Sequence, residues 1–233
     1  MRLTSTTRVY LIRHGATDLS SEDRFSGGTD VDLSAIGRWQ VERLAVRLAD
    51  DKIAAVYCSP MRRAVETATI IARPHGLVPI PQNDLREIHH GRWETMSRAD
   101  VEANFPEEYA AWQTDPFTFA PQGGESGLSV MARALPVIRS VVVQHAGENI
   151  ALVSHKATIR LLISSLLGFD ARGYRDRLDQ SPACLNILDF RDPVHSRLML
   201  FNDVSHYVDQ PPYPEHHLSK EWDAEQTDSG QEV

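Results

Sequence analysis

Three short apolar runs in this chain each end abruptly on polar chemistry, and helical periodicity follows each one. Val9 to Ile12 ends on Arg13-His14-Gly15, Ile53 to Cys58 on Ser59-Pro60-Met61-Arg62-Arg63, and Asn149 to Val153 on Ser154-His155. Apolar runs this short read as buried strands. After the first, Ser34 is placed to cap a helix reaching about Ala49, with Ile36, Val41, Leu44, Val46 and Leu48 on its apolar face. After the second, Ser59 as cap and Pro60 at the first helical position predict a helix to about Arg73. After the third, Lys156 to Leu167 is helical and Gly168 stops it. Such alternation predicts an α/β fold: a three-layer sandwich with a mainly parallel central sheet and helices on both faces. It also puts the strand carboxyl ends, where open sheets bind ligands, on one edge.

The remaining elements fit around that frame. Leu77 to Pro81 is expected to form a short strand, and Ser97 to Trp112 a single amphipathic helix. Leu128, Met131, Leu135, Ile138 and Val142 mark a further helix, in which Pro136 predicts a kink or a break. Leu185 to Phe190 and Arg197 to Phe201 read as a closing hairpin turned by Asp192-Pro193. From Asp209 the composition shifts to Pro, Glu, Asp, Gln and Ser. Residues 1–208 are therefore read as one domain and 209–233 as a Pro-rich acidic tail, flexible or loosely docked.

Charge and cysteine usage narrow the function. A formal net charge of −8 argues against nucleic acid or a membrane surface as partner, since both favour basic patches. No stretch reads as long enough to span a membrane. Cys58 and Cys184 lack metal-type spacing and read as reduced core thiols, with a disulfide between them left open; the expected location is cytoplasmic. His89-His90 is not read as a metal site, because adjacent side chains diverge and no further ligand stands at ligand spacing.

The three strand ends would bring Arg13, His14, Ser59 to Arg63 and His155 to one crevice, with Glu87 from a fourth segment. That set suits phosphoryl transfer. A neutral imidazole can attack phosphorus and be displaced again. Arginines neutralise the equatorial oxygens, a second imidazole can donate to them, and a carboxyl group can give the leaving oxygen its proton. Of the adjacent Arg62 and Arg63 only one can point into the site. Gly15 is read as freeing the backbone to turn and permitting close approach. Gly123-Gly124 before Glu125-Ser126 is either a plain turn or a source of backbone donors for an anion.

The motifs Leu11-Ile-Arg-His-Gly15, Ser59-Pro-Met-Arg-Arg-Ala64 with Thr67, Leu85-Arg-Glu87 followed by Gly91-Arg-Trp-Glu94, and Val153-Ser-His155 resemble the histidine phosphatase superfamily, which includes the cofactor-dependent phosphoglycerate mutases. The resemblance covers about residues 8–207. It implies a phosphoglycerate mutase-like fold with an antiparallel edge strand. It implies His14 as the phosphorylated nucleophile, Arg13, Arg63 and His155 as phosphate binders, and Glu87 as proton donor and acceptor. Arg63, not Arg62, stands at the family position. Two departures follow: Ser20 stands near where the family often has asparagine, and Lys156 where it commonly has glycine. Thr17, Ser20, Ser26, Gly27 and Lys156 therefore join Arg13 and Arg63 as candidate substrate contacts, although Lys156 reads first as a solvent-facing lysine.

Arg24-Phe25-Ser26-Gly27 with Asp30 is similar to the mutases, whereas the segment after Glu87 resembles the short phosphatase type. The expected activity is a metal-independent phosphatase acting through a phosphohistidine on a small phosphomonoester. A mutase, with 2,3-bisphosphoglycerate as its cofactor, is the alternative, and an inactive phospho-ligand binding protein is the second. No other cofactor is expected. The oligomeric state is open, with a dimer among the possibilities.

Overall fold

Alternation along the first strand decides the layers. β1 (Thr7–Arg13) sends Val9 and Leu11 to one side and Tyr10 and Ile12 to the other, and all four are buried. A strand buried on both faces needs cover on both, and the helices supply it. In the computed structural model, which describes residues 6–18 and 24–207, β1 lies inside a six-stranded sheet ordered β3-β2-β4-β1-β5-β6. The other strands are β2 (Ile53–Cys58), β3 (Ile80–Pro81), β4 (Asn149–Ser154), β5 (Leu185–Phe190) and β6 (Ser196–Asp203). Ser20 and the segment 209–233 lie outside the described residues.

The first four strands in that order pair in parallel, and β5 runs antiparallel to both β1 and β6. The antiparallel strand is thus one in from the edge rather than at it. β5 and β6 form a hairpin, so β6 regains the direction of β1 and takes the edge itself.

Two helices cover each face. α1 (Ala35–Leu48) and α2 (Arg62–Ala72) pack on the side of Tyr10 and Ile12 through Val41, Leu44, Ala68 and Ile71. α5 (Gly127–Gln144) and α6 (Lys156–Leu167) pack on the side of Val9 and Leu11 through Ala134, Ile138, Ile159 and Leu162. Between them in sequence come α3 (Arg98–Asn104) and α4 (Pro106–Thr114), which enclose an aromatic cluster of Phe25, Trp93 and Trp112. A short α7 (Tyr174–Arg177) follows α6.

Several local expectations need correction. Ser34 caps α1 by accepting from Gly37 N, but Ile36 and Val46 are exposed. Each stands five residues from Val41, about 140° round the helix, so neither shares its face. α2 begins at Arg62 behind Met61, not at Pro60 behind Ser59. The single helix expected over 97–112 is two, broken at Phe105 because the residue before Pro106 is disfavoured in helical backbone. Pro136 breaks nothing: α5 runs through it, with the ring on the exposed side. With 18 residues and a mean hydropathy of 1.2, α5 is long and apolar enough to cross a membrane by length and composition, contrary to the sequence reading. Here its inner face is part of the core. Cys58 and Cys184 are both buried and form no disulfide with each other.

Candidate active site

The carboxyl ends of β1, β4 and β2 are level. Arg13 pairs with Ser154 and Cys58 with Val153, so His14, His155 and Ser59 emerge side by side. His14 N donates to Ser154 O at 3.1 Å and Ser59 N to Val153 O at 2.9 Å, extending the ladder one step beyond the strands. Gly15 then passes against the start of α1. A Cβ there would lie 2.5 Å from Gly37 O, so close approach is what demands glycine; no left-handed turn is involved.

His14 is held in one tautomer. Its Nδ1 lies 2.8 Å from Gly15 O, which can only accept, so Nδ1 carries the proton. Nε2 is left with its lone pair, which accepts from Arg63 Nε at 3.2 Å. Burial, then the charges of Arg63 and Arg13, push the pKa of His14 well below the ordinary histidine value. The ring is therefore neutral at physiological pH, with its nucleophilic nitrogen beside a guanidinium.

His155 stands across from it, the ring centroids 5.0 Å apart and edge to face. Its Nε2 lies 2.8 Å from Ser59 Oγ, and Ser59 Oγ also accepts from Met61 N at 3.4 Å. The hydroxyl proton is thus free to go to Nε2, which leaves the proton of the neutral ring on Nδ1. That nitrogen is buried without a hydrogen-bond partner. Burial, then Arg63, His14 and Arg13, depress the pKa of this histidine as well.

Arg63 is buried and aimed by the loop opposite: Nη1 donates to Thr29 O at 2.8 Å and Nη2 to Gly27 O at 3.1 Å. Arg62 turns outward, where its backbone N donates to Asp30 Oδ1 at 2.8 Å and its side chain faces Asp32. Arg13 is buried and donates from Nη1 to Gln180 O. Thr67 Oγ1 accepts from Gly15 N at 3.2 Å and donates to Arg63 O at 2.8 Å, tying α2 to the nucleophile's turn.

Glu87 sits at the amino end of α6. Oε2 accepts from Ala157 N at 3.0 Å, and Oε1 from Thr158 N at 3.1 Å and Ile88 N at 2.9 Å. This fixes the carboxylate one helical turn from His155 and within electrostatic reach of Arg63. A cleft of about 550 Å³ opens beside it, its lining including Gly27, Gly28, Met61 and Arg86.

Arg13, His14, Arg63, Glu87 and His155 are thus brought together. Of the weaker candidates, Gly27 contributes its carbonyl to Arg63, and a Cβ there would lie 1.7 Å from Ile88 O. Thr17 is buried and Ser26 half-buried in the loop. Lys156 leans towards Asp179, at 3.9 Å, while Arg24 donates to Thr95 O at 2.8 Å. Gly123-Gly124 makes a turn, Gly124 N donating to Pro121 O and Glu125 N to His89 O. His89 and His90 diverge, His89 exposed and His90 buried against Phe25.

Two roles go beyond the sequence reading. Ser59, expected at the crevice as a helix cap, instead orients His155. Glu94 accepts from Gly28 N at 2.9 Å and Thr29 Oγ1 at 3.1 Å, and so pins the loop whose carbonyls hold Arg63. The only signal for Glu94 was its place in the Gly91-Arg-Trp-Glu94 motif.

Comparison with known proteins gives a family and several relatives. The sequence profile of the histidine phosphatase superfamily (branch 1) matches residues 9–203. Phosphoserine phosphatase 1 of Hydrogenobacter thermophilus is 32% identical over 163 residues, spanning 70% of this chain and 77% of that protein. Glucosyl-3-phosphoglycerate phosphatase of Mycolicibacterium vanbaalenii is 35% identical over 168 residues, spanning 69% and 74%. Among solved structures, Bacillus stearothermophilus YhfR superposes with a TM-score of 0.80 at 30% identity, covering 86% of this chain and 98% of that one.

Proposed function

The chain belongs to the histidine phosphatase superfamily, and from that premise we propose that it hydrolyses small phosphomonoesters by carrying the phosphoryl group on His14. The observation that carries the reading is the lone pair on Nε2 of a neutral, buried imidazole set among Arg13, Arg63 and His155. Nε2 attacks phosphorus and the bond from phosphorus to the ester oxygen breaks. The ester oxygen takes a proton from the Glu87 carboxyl. Arg63 exchanges its bond to Nε2 for the phosphoryl oxygens. Arg13 and the buried Nδ1–H of His155 add donors where transition-state charge collects. Water then attacks the phosphohistidine and gives its proton to Glu87. The P–N bond breaks, phosphate leaves and His14 is neutral again.

Every step has a side chain to carry it, so the reading asks for no metal and no organic cofactor. The relatives that act on phosphoserine and glucosyl-3-phosphoglycerate support an alkyl phosphate of a small metabolite as substrate. Two buried thiols outside any disulfide favour a reducing compartment, as expected of a cytoplasmic enzyme.

The test is a brief pulse of labelled substrate followed by acid and alkali quench. Acid-labile, alkali-stable label on the wild type and none on His14→Ala is expected; equal labelling of both sinks the assignment. A parallel incubation with 3-phosphoglycerate, with and without 2,3-bisphosphoglycerate, separates hydrolysis from isomerisation. Released inorganic phosphate is expected. Rapid, bisphosphate-dependent 2-phosphoglycerate would make it a mutase.

A further inference from the structure

One wall of the cleft beside Glu87 carries a cation that this mechanism does not use. Asn83 and Arg86 line that cleft with Glu87, and so do the carboxylates of Asp30 and Glu125. Both of those acids are engaged. Glu125 takes Arg133 through both oxygens, at 2.8 and 2.9 Å, and Asp30 takes the backbone N–H of Arg62. The side chain of Arg86 is exposed and feels the Glu125 carboxylate through space, but neither it nor that of Asn83 makes a hydrogen bond or close ion pair within the described residues. Asn83–Leu85 is a 3₁₀ turn, in which positions three apart eclipse, so Asn83 and Arg86 stand on one side of it.

The turn is held from behind. Arg133 Nη1 donates to Asp84 O at 2.7 Å and Arg86 O at 2.8 Å, and its Nη2 to Glu87 O at 3.0 Å. Ser154 Oγ donates to Leu85 O at 2.8 Å, and Leu85 is fully buried. The backbone that presents the proposed proton donor therefore also presents an amide and a guanidinium in a fixed arrangement, which lowers the ordering cost of binding.

We infer that Asn83 and Arg86 form a subsite for a second anionic group, a carboxylate or a further phosphate, on the alcohol portion of the substrate. The inference rests on the phosphatase reading: Glu87 protonates the ester oxygen, so whatever that oxygen is attached to lies over the residues flanking Glu87. A guanidinium matches the planar geometry of a carboxylate or phosphate, and the Asn83 amide adds a donor. In a chain of net charge −8 an anionic leaving group needs such a local partner.

The test compares kcat/KM for glycerol 3-phosphate, 3-phosphoglycerate and fructose 1,6-bisphosphate, whose alcohol portions are neutral, carboxylated and phosphorylated. The wild type is expected to favour at least one acidic ester over glycerol 3-phosphate. Arg86→Gln should cut that preference about 10- to 100-fold, the range for one charge-assisted contact, mainly through KM. Asn83→Ala should cut it less, and Arg86→Lys should keep part of it. The acidic ester that responds identifies the group bound. An unchanged preference in Arg86→Gln, or none in the wild type, overturns the subsite while hydrolysis stands. Turnover of p-nitrophenyl phosphate but of none of the three esters also overturns the subsite alone. No turnover of any ester, with no label on His14, overturns the phosphatase reading and the subsite with it.

Discussion

A histidine attacks phosphorus only through an unprotonated nitrogen, and at His14 the backbone carbonyl of its own neighbour decides which nitrogen that is. Removing the ring should lower kcat at least about 10⁴-fold, as for other covalent nucleophiles, with the fold intact by circular dichroism. Glu87→Gln should act selectively. Alkyl phosphates, whose alkoxide needs a proton, should lose about 10²- to 10⁴-fold, and p-nitrophenyl phosphate far less. Equal losses on both would remove Glu87 from the proton transfer. The juxtaposition of Arg13, His14, Arg63 and His155 was legible in the sequence because each stands at, or about one turn beyond, an apolar run, and chain direction alone brings strand ends together; Glu87 comes from a separate segment and joined them through the chemistry and the motif. Ser59 was not legible in its actual role. Serine before proline has a strong local meaning, and only the contact with His155, 96 positions away, overrides it. Ser59→Ala strips His155 Nε2 of its partner and frees the ring to take the other tautomer. We expect kcat/KM to fall about tenfold, and inorganic phosphate to bind correspondingly more weakly, in line with the loss of one buried hydrogen bond. Unchanged phosphate affinity would show that Ser59 does not orient the ring.

At the scale of elements, the loop from Arg24 to Asp30 is built by what packs on it. Phe25 N donates to Met96 O and Thr95 N to Phe25 O, so the loop borrows its order from the segment entering α3. Phe25 inserts among Trp93 and Trp112, and Arg175 stacks over Trp112. From sequence this stretch reads as a polar connection and a separate amphipathic helix, because the partners are about 70 residues apart and no periodicity spans them. The break at Phe105-Pro106 is local and was open to prediction; the pairing of loop with loop was not. Glu94 links the two, and the loop's carbonyls in turn aim Arg63. Glu94→Ala should therefore loosen a phosphate contact without touching the reacting atoms. The expected signature is KM raised about tenfold with kcat reduced by less, since a contact made in both ground and transition state is weakened. A loss confined to kcat would place Glu94 elsewhere in the mechanism.

For the molecule as a whole, the largely parallel sheet follows from the alternating run of strands and helices, and the double-sided core from central strands with no polar face. The position of the antiparallel strand depends on the β5–β6 hairpin folding back beside β1, which no local pattern encodes. The same enclosure has a cost in acid. His14 and His155 are held neutral mainly by burial, and His206 is pushed down to about 4 by burial and the nearby Arg47 charge. In the unfolded chain each should titrate near its ordinary value of about 6.5. Between those values the unfolded state binds more protons than the folded one, so unfolding becomes easier as pH falls. The stability these histidines confer is complete above about pH 6.5 and is lost progressively below it, at up to about 1.4 kcal/mol per pH unit for each. Against a total of about 5–15 kcal/mol for a domain, three such groups should destabilise the fold before exposed carboxylates begin to protonate. Urea midpoints should drop steeply from pH 6.5 to pH 5. His206→Gln, at a ring that touches the Ala183 backbone and not the reacting nitrogen, should flatten that slope by at most one histidine's share and leave label capture by His14 intact. A midpoint constant across this range would mean that the buried rings protonate in place, and that His14 is not kept neutral by its surroundings.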